Sequence, residues 1–257
     1  MRDFLEDALQ NQDAGAGRHQ RDALRELPKR FYKTVDVVEE DGEFLVRLDG
    51  RATHTPTRKR VGVPSAELAS RMRSEWEAQG AHIDPDSMPH VKLLNSAVEA
   101  GESARGELLD EVVKYAASDL LLYRADTPRE LVALQEGHWD STLVKLARHF
   151  GVSFQPTVGI IHKEQSRETL HRLRAALDDL HYMPATAMVS LTGLTGSGLL
   201  AIAVRTNLID PDTAWTAAHV DEDYQISLWG EDYEASERRK QRRLEFDAAI
   251  NVIKQLG

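Results

Sequence analysis

The sequence predicts an α+β fold: a small N-terminal antiparallel β-rich domain with attached helices over residues 28–117, then a larger all-helical domain over 118–257. Two kinds of periodicity and one bound on size carry that expectation. Between Arg30 and Val63 apolar residues alternate with polar ones around two Asp-Gly pairs, the pattern of hairpin strands. From Pro64 onward the apolar residues recur three and four apart, the period of helices. A chain of 257 residues, 41% hydrophobic and 29% charged, has the length and balance for two buried cores.

In order, residues 1–27 are expected to form a flexible tail, because Asp13 to Gly17 mixes glycine and alanine with polar residues and has no apolar period. Phe31, Val35 and Val37 alternate up to Asp41-Gly42, and Phe44, Val46 and Leu48 alternate after it, which reads as a hairpin. Asp49-Gly50 turns the chain into Arg51 to Thr55, and a short segment at Val61 to Val63 follows the break at Pro56. Pro64-Ser65 then opens a helix in which Leu68, Met72 and Trp76 lie four apart, ending by Gly80. His90 to Ala100 is a short helix, and Leu108, Leu109, Val112, Val113 and Ala116 stripe the next.

Asp126-Thr127-Pro128 starts a longer helix with Leu131, Gln135, Trp139, Leu143, Leu146 and Phe150 on one face, closed by Gly151. Ser166 to Leu180 carries Leu170, Leu173, Leu177 and Leu180. Met183 to Val204 is long and uncharged enough to span a bilayer, but Ser190, Thr192, Gly193, Thr195, Gly196, Ser197 and Gly198 interrupt it. It is expected instead as two short buried helices packed closely through their glycines. Asp210-Pro211 caps a helix bearing Ala217, Val220, Tyr224 and Leu228, Gly230 breaks it, and a last helix runs from about Tyr233 to Leu256.

A net charge of -10 disfavours a phosphate-backbone binder, so no nucleic acid partner is expected. The absence of cysteine removes disulfides and thiolate chemistry and fits a reducing compartment. Asp3, Glu6 and Asp7 spoil both a secretory signal and a mitochondrial presequence, which points to the bacterial cytoplasm or to a trimmed chain. His82, Asp84, Asp86 and His90 are the nearest approach to a metal cluster, yet Pro85 and Pro89 sit among them and a solvated loop is the simpler reading, so no metal is expected. Gly193-Leu-Thr-Gly196-Ser-Gly198 lacks the lysine of a phosphate loop, and no GxSxG element is present. Asp221, Glu222 and Asp223, followed by Glu231, Asp232 and Glu234, leave open a hydrolase built on paired carboxylates. Among 42 acidic residues such a cluster more often marks a solvated face or a surface for a partner.

Several segments occur together in a fixed order: Arg30-Phe-Tyr-Lys33, Leu48-Asp-Gly-Arg51 with Thr55-Pro56, Glu75-Trp-Glu-Ala-Gln79, and Met88-Pro89. Tyr115, Ser118-Asp-Leu-Leu-Leu-Tyr-Arg124, Trp139, Asp221-Glu-Asp-Tyr-Gln225 and Trp229-Gly230 complete the series. Over roughly Arg30 to Tyr233 the chain thereby resembles the ATP synthase assembly chaperones specific for the alpha subunit of the catalytic sector. The resemblance implies a protein that binds the unassembled alpha subunit, prevents its aggregation and yields to the beta subunit, without catalytic residues, nucleotide hydrolysis or cofactor. It also implies no stable membrane insertion, a monomer when alone, and a mitochondrial matrix location for eukaryotic relatives. Asp221 to Gln225 is its expected acidic site, with aspartate first where relatives can have glutamate. On a helix Asp221, Gln225 and Trp229 fall every four residues, and Glu222 and Glu231 complete the expected partner-binding set. Phe31, Tyr32, Trp76 and Trp139 are read as structural members of the motif, placed in the core by their spacing. A chaperone for apolar clients in general is the remaining alternative.

Overall fold

The computed structural model describes residues 27–257, so the tail expected over 1–27 lies almost wholly outside the described residues. The chain divides into two compact units, one up to Glu99 and the other Ala100–Gly257.

The N-terminal unit is built on β1 (Val35–Glu40), β2 (Glu43–Leu48), β3 (Arg51–Ala52) and β4 (Gly62–Val63). Strands β1 and β2 pair antiparallel from Val35↔Leu48 to Glu40↔Glu43. At the turn Asp41 and Gly42 both have positive φ, 53° and 81°, the backbone that a two-residue hairpin needs to match strand twist. Asp49 and Gly50 repeat this at 49° and 77° and lead into β3. Strand β2 is central: β1 lies on one side, and β3 and β4 pair with it as well, through Arg47↔Ala52 and Phe44↔Val63.

Helix α1 (Ala66–Glu77) starts where Ser65 accepts a hydrogen bond from the Leu68 amide, and buries Leu68, Ala69 and Met72. The acid in its last turn does the next piece of folding. Glu75 Oε1 accepts from the His90 amide at 2.9 Å and Oε2 from the Val91 amide at 2.9 Å, so one side chain caps helix α2 (Pro89–Ala100). His90 sits on the same carboxylate at 2.6 Å, part of a buried contact rather than a solvated loop. Gln79, also buried, accepts from the Asp84 amide and donates to Ser87, fixing the loop between the two helices.

The second unit is helical: α3 (Arg105–Ala117), α4 (Arg129–Phe150), α5 (Arg167–Ala175), α6 (Tyr182–Thr195), α7 (Gly198–Arg205), α8 (Pro211–Ala218), α9 (Val220–Trp229) and α10 (Tyr233–Leu256). A two-residue parallel pair, β5 (Tyr123–Arg124) with β6 (Thr157–Val158), is its sheet component. Helices α6 and α7 form the centre, with nearly every residue of α7 buried, and no helix among the described residues is long and apolar enough to cross a membrane. Helix α3 packs on α5, α6 and α7 through Leu108, Leu109, Val112 and Ala116 and therefore belongs with this unit. The division expected near Ala117 thus falls inside it.

Between α6 and α7 the chain turns on Gly196, whose φ of 67° closes α6 in the left-handed region. Ser197 caps α7 by accepting from the Leu200 amide at 2.9 Å. Beneath it lies the buried carboxylate of Asp119, accepting from the Ser197 hydroxyl at 2.6 Å and from the Leu121 and Leu199 amides at 3.1 and 2.9 Å. Burial pushes this acid up to about 7 even though each of those bonds pulls it down.

Candidate functional site

The predicted acidic segment lies on α9, and its two halves differ in kind. The inner half is anchored. Trp139, 1% exposed on α4, donates its indole N–H to the Ala217 carbonyl at 2.8 Å, holding the end of α8. Gln135, one turn earlier on α4 and buried, accepts from the Ala125 amide and donates to Asp221 Oδ1 at 2.8 Å. Val220 packs beneath, and His219, 2% exposed at the bend between α8 and α9, has its Nδ1 2.7 Å from the Trp215 carbonyl. Burial pushes that imidazole down, so it is neutral and donates through Nδ1.

Three carboxylates in the first turn of α9 suit the positive end of the helix dipole. Asp221 is committed to Gln135, and Asp223 is ion-paired with Arg239 on α10, whose guanidinium it raises. Glu222 lies 4.0 Å from His219 Nε2 with its side chain 36% exposed. Asp232 caps α10, accepting from the Ala235 amide at 2.8 Å. Glu231 is exposed and makes no ion pair among the described residues. The acids that the sequence groups together are therefore divided between structural work, at Asp221, Asp223 and Asp232, a half-exposed place beside His219, at Glu222, and open surface, at Glu231.

The outer half of α9 leaves the core. Gln225 is exposed, Leu228 is 55% exposed, Trp229 79% and Tyr233 77%. Leu228 departs from its expectation: the apolar stripe packs at Ala217 and Val220 and reaches only as far as the half-buried Tyr224, leaving Leu228 in solvent. A cleft of about 240 Å³ lies between α4, α8 and α9, lined by Leu134, His138, Tyr224 and Ser227 among others. Gly230 closes α9 at φ 84° and ψ 171°, a backbone open to glycine alone, and presents Trp229 and Glu231 on either side of the break. Leu228, Tyr233 and the 40% exposed Leu134 are the surface residues that sequence reasoning missed, since an apolar residue at helical spacing looks the same whether or not something covers it.

The other aromatic motif residues are placed differently. Tyr32 is 4% exposed and joins the N-terminal core, and Trp76 is half-buried with its carbonyl accepting from the Tyr32 hydroxyl at 2.7 Å. Phe31, expected in the core, is 73% exposed: it precedes the first strand and only the edge of its ring meets Tyr32. Among the described residues no cluster of three His, Cys, Asp or Glu is placed to hold a metal ion.

A buried helical base that carries an exposed rim of Leu228, Trp229 and Tyr233 offers surface for contact with another protein. The family model described as ATP12 chaperone protein matches residues 29–147. The structure is similar to that of Atp12 from Paracoccus denitrificans, at 32% identity over 88% of this chain and 97% of that chain, with a TM-score of 0.79. It is also similar to the Atu1473 protein from Agrobacterium tumefaciens, at 36% identity over 99% of this chain and 96% of that chain, with a TM-score of 0.84. A third relative is the mitochondrial protein atp12 of Schizosaccharomyces pombe, 24% identical over 79% of this chain and 74% of that protein. The chain belongs to the ATP12 chaperone family, which assembles ATP synthase.

Proposed function

We propose that this chain binds the unassembled alpha subunit of the ATP synthase catalytic sector, keeps it from aggregating and releases it to the beta subunit. A subunit built for a large oligomeric interface exposes apolar surface when alone, and covering that surface needs contact rather than turnover. The observation that carries this reading is the rim of Leu228, Trp229 and Tyr233, left uncovered on a helix whose other half is locked down. Trp229 is the anchor, Gln225 supplies adaptable hydrogen bonds, and Glu222 and Glu231 select a basic neighbour by charge. Asp221 contributes by positioning α9 through Gln135. The chain acts as a monomer in the bacterial cytoplasm and needs no cofactor.

The test is co-purification with free alpha subunit, with the affinity measured for Trp229→Ala and for Glu231→Lys. Truncating a central aromatic anchor costs about 2 kcal/mol, or roughly thirtyfold in Kd. Excess beta subunit should displace the chaperone. Wild-type affinity in Trp229→Ala, with folding intact, removes the rim from the interface; failure of the wild-type chain to bind alpha at all ends the reading.

A further inference from the structure

The bend between α8 and α9 buries an imidazole that lacks half of its hydrogen bonding. His219 is 2% exposed, and its Nδ1 lies 2.7 Å from the Trp215 carbonyl, which can only accept. Nδ1 therefore carries the ring proton, and Nε2 is left as a bare lone pair. That nitrogen is shut off from solvent and has no hydrogen-bond partner, whereas buried polar atoms are normally satisfied. What stands before it is a carboxylate: Glu222 Oε2, in the first turn of α9, is 4.0 Å away. Both atoms are acceptors, and the gap is too long for a hydrogen bond. One proton is what the two lack. With it, the pair could close to a charge-assisted bond of about 2.8 Å.

Charged groups bear on the imidazole from both helices at the junction. Glu222 on α9 draws a proton to it, while Arg239 and Arg242 on α10 oppose one. Arg243, also on α10, lies over the Trp215 ring at 5.4 Å, and that ring is 4.0 Å from the imidazole. Asp223, the next acid of α9, is taken up by Arg239. Burial and the two guanidinium groups hold His219 below the usual imidazole range, so the proton stays off at neutral pH and arrives on the acid side. Glu222 is the group placed to answer it: its side chain is 36% exposed and makes no other ion pair among the described residues. Closing the gap takes about 1 Å of travel.

We propose that His219 and Glu222 form a proton-operated latch. A proton taken up from water at Nε2 draws the Glu222 carboxylate inward into an ion pair, and loss of that proton returns the carboxylate to the surface of α9. The consequence for the client rests on the reading above, in which Glu222 selects a basic neighbour on the alpha subunit. A carboxylate held by His219 is withdrawn from that neighbour, so acid weakens client binding. Linkage makes the effect reciprocal: a client that engages Glu222 makes His219 harder to protonate.

The test follows the His219 Cε1–H resonance by NMR in the full chain carrying isotope-labelled histidine, from about pH 8 down to about pH 4, in the parent and in Glu222→Gln. His219→Asn, which keeps a donor for the Trp215 carbonyl and has no ring to titrate, identifies the resonance. Glu222→Gln should lower the proton affinity of His219 about tenfold, the effect of removing an opposite charge at this range. Equal affinity in the two proteins overturns the latch, as does a folded parent chain in which His219 takes up no proton above about pH 4, or unfolding before the resonance moves. The second arm measures binding of free alpha subunit about one pH unit above and below the observed midpoint. Across that interval the parent should lose about fivefold more affinity than His219→Asn. An equal loss in both overturns the link to the client. If the parent binds no alpha subunit at any pH, the client reading fails by itself, and the titration decides the latch alone.

Discussion

Gly198 is the sharpest place to test the reasoning about the core. It opens α7, and a Cβ added there would lie 2.2 Å from the Val112 carbonyl oxygen and 2.9 Å from the Ala116 amide nitrogen. Both atoms belong to the backbone of α3, so no rotamer change can relieve the contact. Restoring ordinary van der Waals distance requires α3 and α7 to separate by about 1 Å, which loosens the interface of Leu108, Leu109, Val112 and Ala116. Overpacking of this kind costs about 3 kcal/mol in Gly198→Ala, partly offset by about 1 kcal/mol from the higher helix propensity of alanine. The net loss is about 2 kcal/mol. Urea unfolding followed by far-ultraviolet circular dichroism reads it as a lower midpoint at unchanged slope. Gly137→Ala, in α4 with open space around it, is the control and should gain up to about 1 kcal/mol. If Gly198→Ala is as stable as the parent chain, close helix approach is not why the glycine is there.

Two further outcomes follow from buried polar groups. Asp119 is held up to about 7, above its unfolded value near 4, so the fold favours its protonated form; its contribution is complete below about pH 4 and is lost as pH rises through about 7. The window is worth on the order of 4 kcal/mol, and Asp119→Asn, which cannot titrate, should flatten the dependence of the urea midpoint on pH between 4 and 8 while lowering it at pH 5, since an amide cannot accept at both oxygen positions. Trp139→Phe should cost about 1–2 kcal/mol by leaving the Ala217 carbonyl unpaired, and should speed hydrogen exchange of the α9 amides; exchange at the parental rate would mean that the indole does not hold the α8–α9 junction.

What the sequence displays depends on whether the cause is local. Asp41-Gly42 and Asp49-Gly50 are readable because the residues that adopt positive φ are the residues seen. Gly198 is readable as close packing for a similar reason: glycine and hydroxyl residues inside an otherwise apolar run have few other uses. Glu75 and Gln79 are visible as a motif, but their work is not, since a cap on α2 and a brace on the loop at Asp84 need the third dimension. The same holds for β5 and β6, two residues each, too short to have a period. Phe31 and Leu228 fail in the opposite direction: their spacing predicts an inward face, and whether another element covers that face is a tertiary fact that spacing does not carry.

That failure leads to the site. Asp221 is separated from Gln135 by 86 residues of sequence, so nothing local distinguishes it from Glu222 beside it, and a cluster of like residues hides a division of labour. The acids that face α4 and α10 fix where α9 stands, whereas Glu222, half-exposed with His219 Nε2 4.0 Å away, and the exposed Glu231 do not. The proposed binding rim needs both parts, because an exposed aromatic residue on a loose helix would lose on ordering what it gains on contact. Substitution at Asp221 and at Glu231 should therefore differ in kind: the first weakens client binding by freeing the helix and raises hydrogen exchange along α9, whereas the second changes the association rate and its dependence on salt with the helix undisturbed.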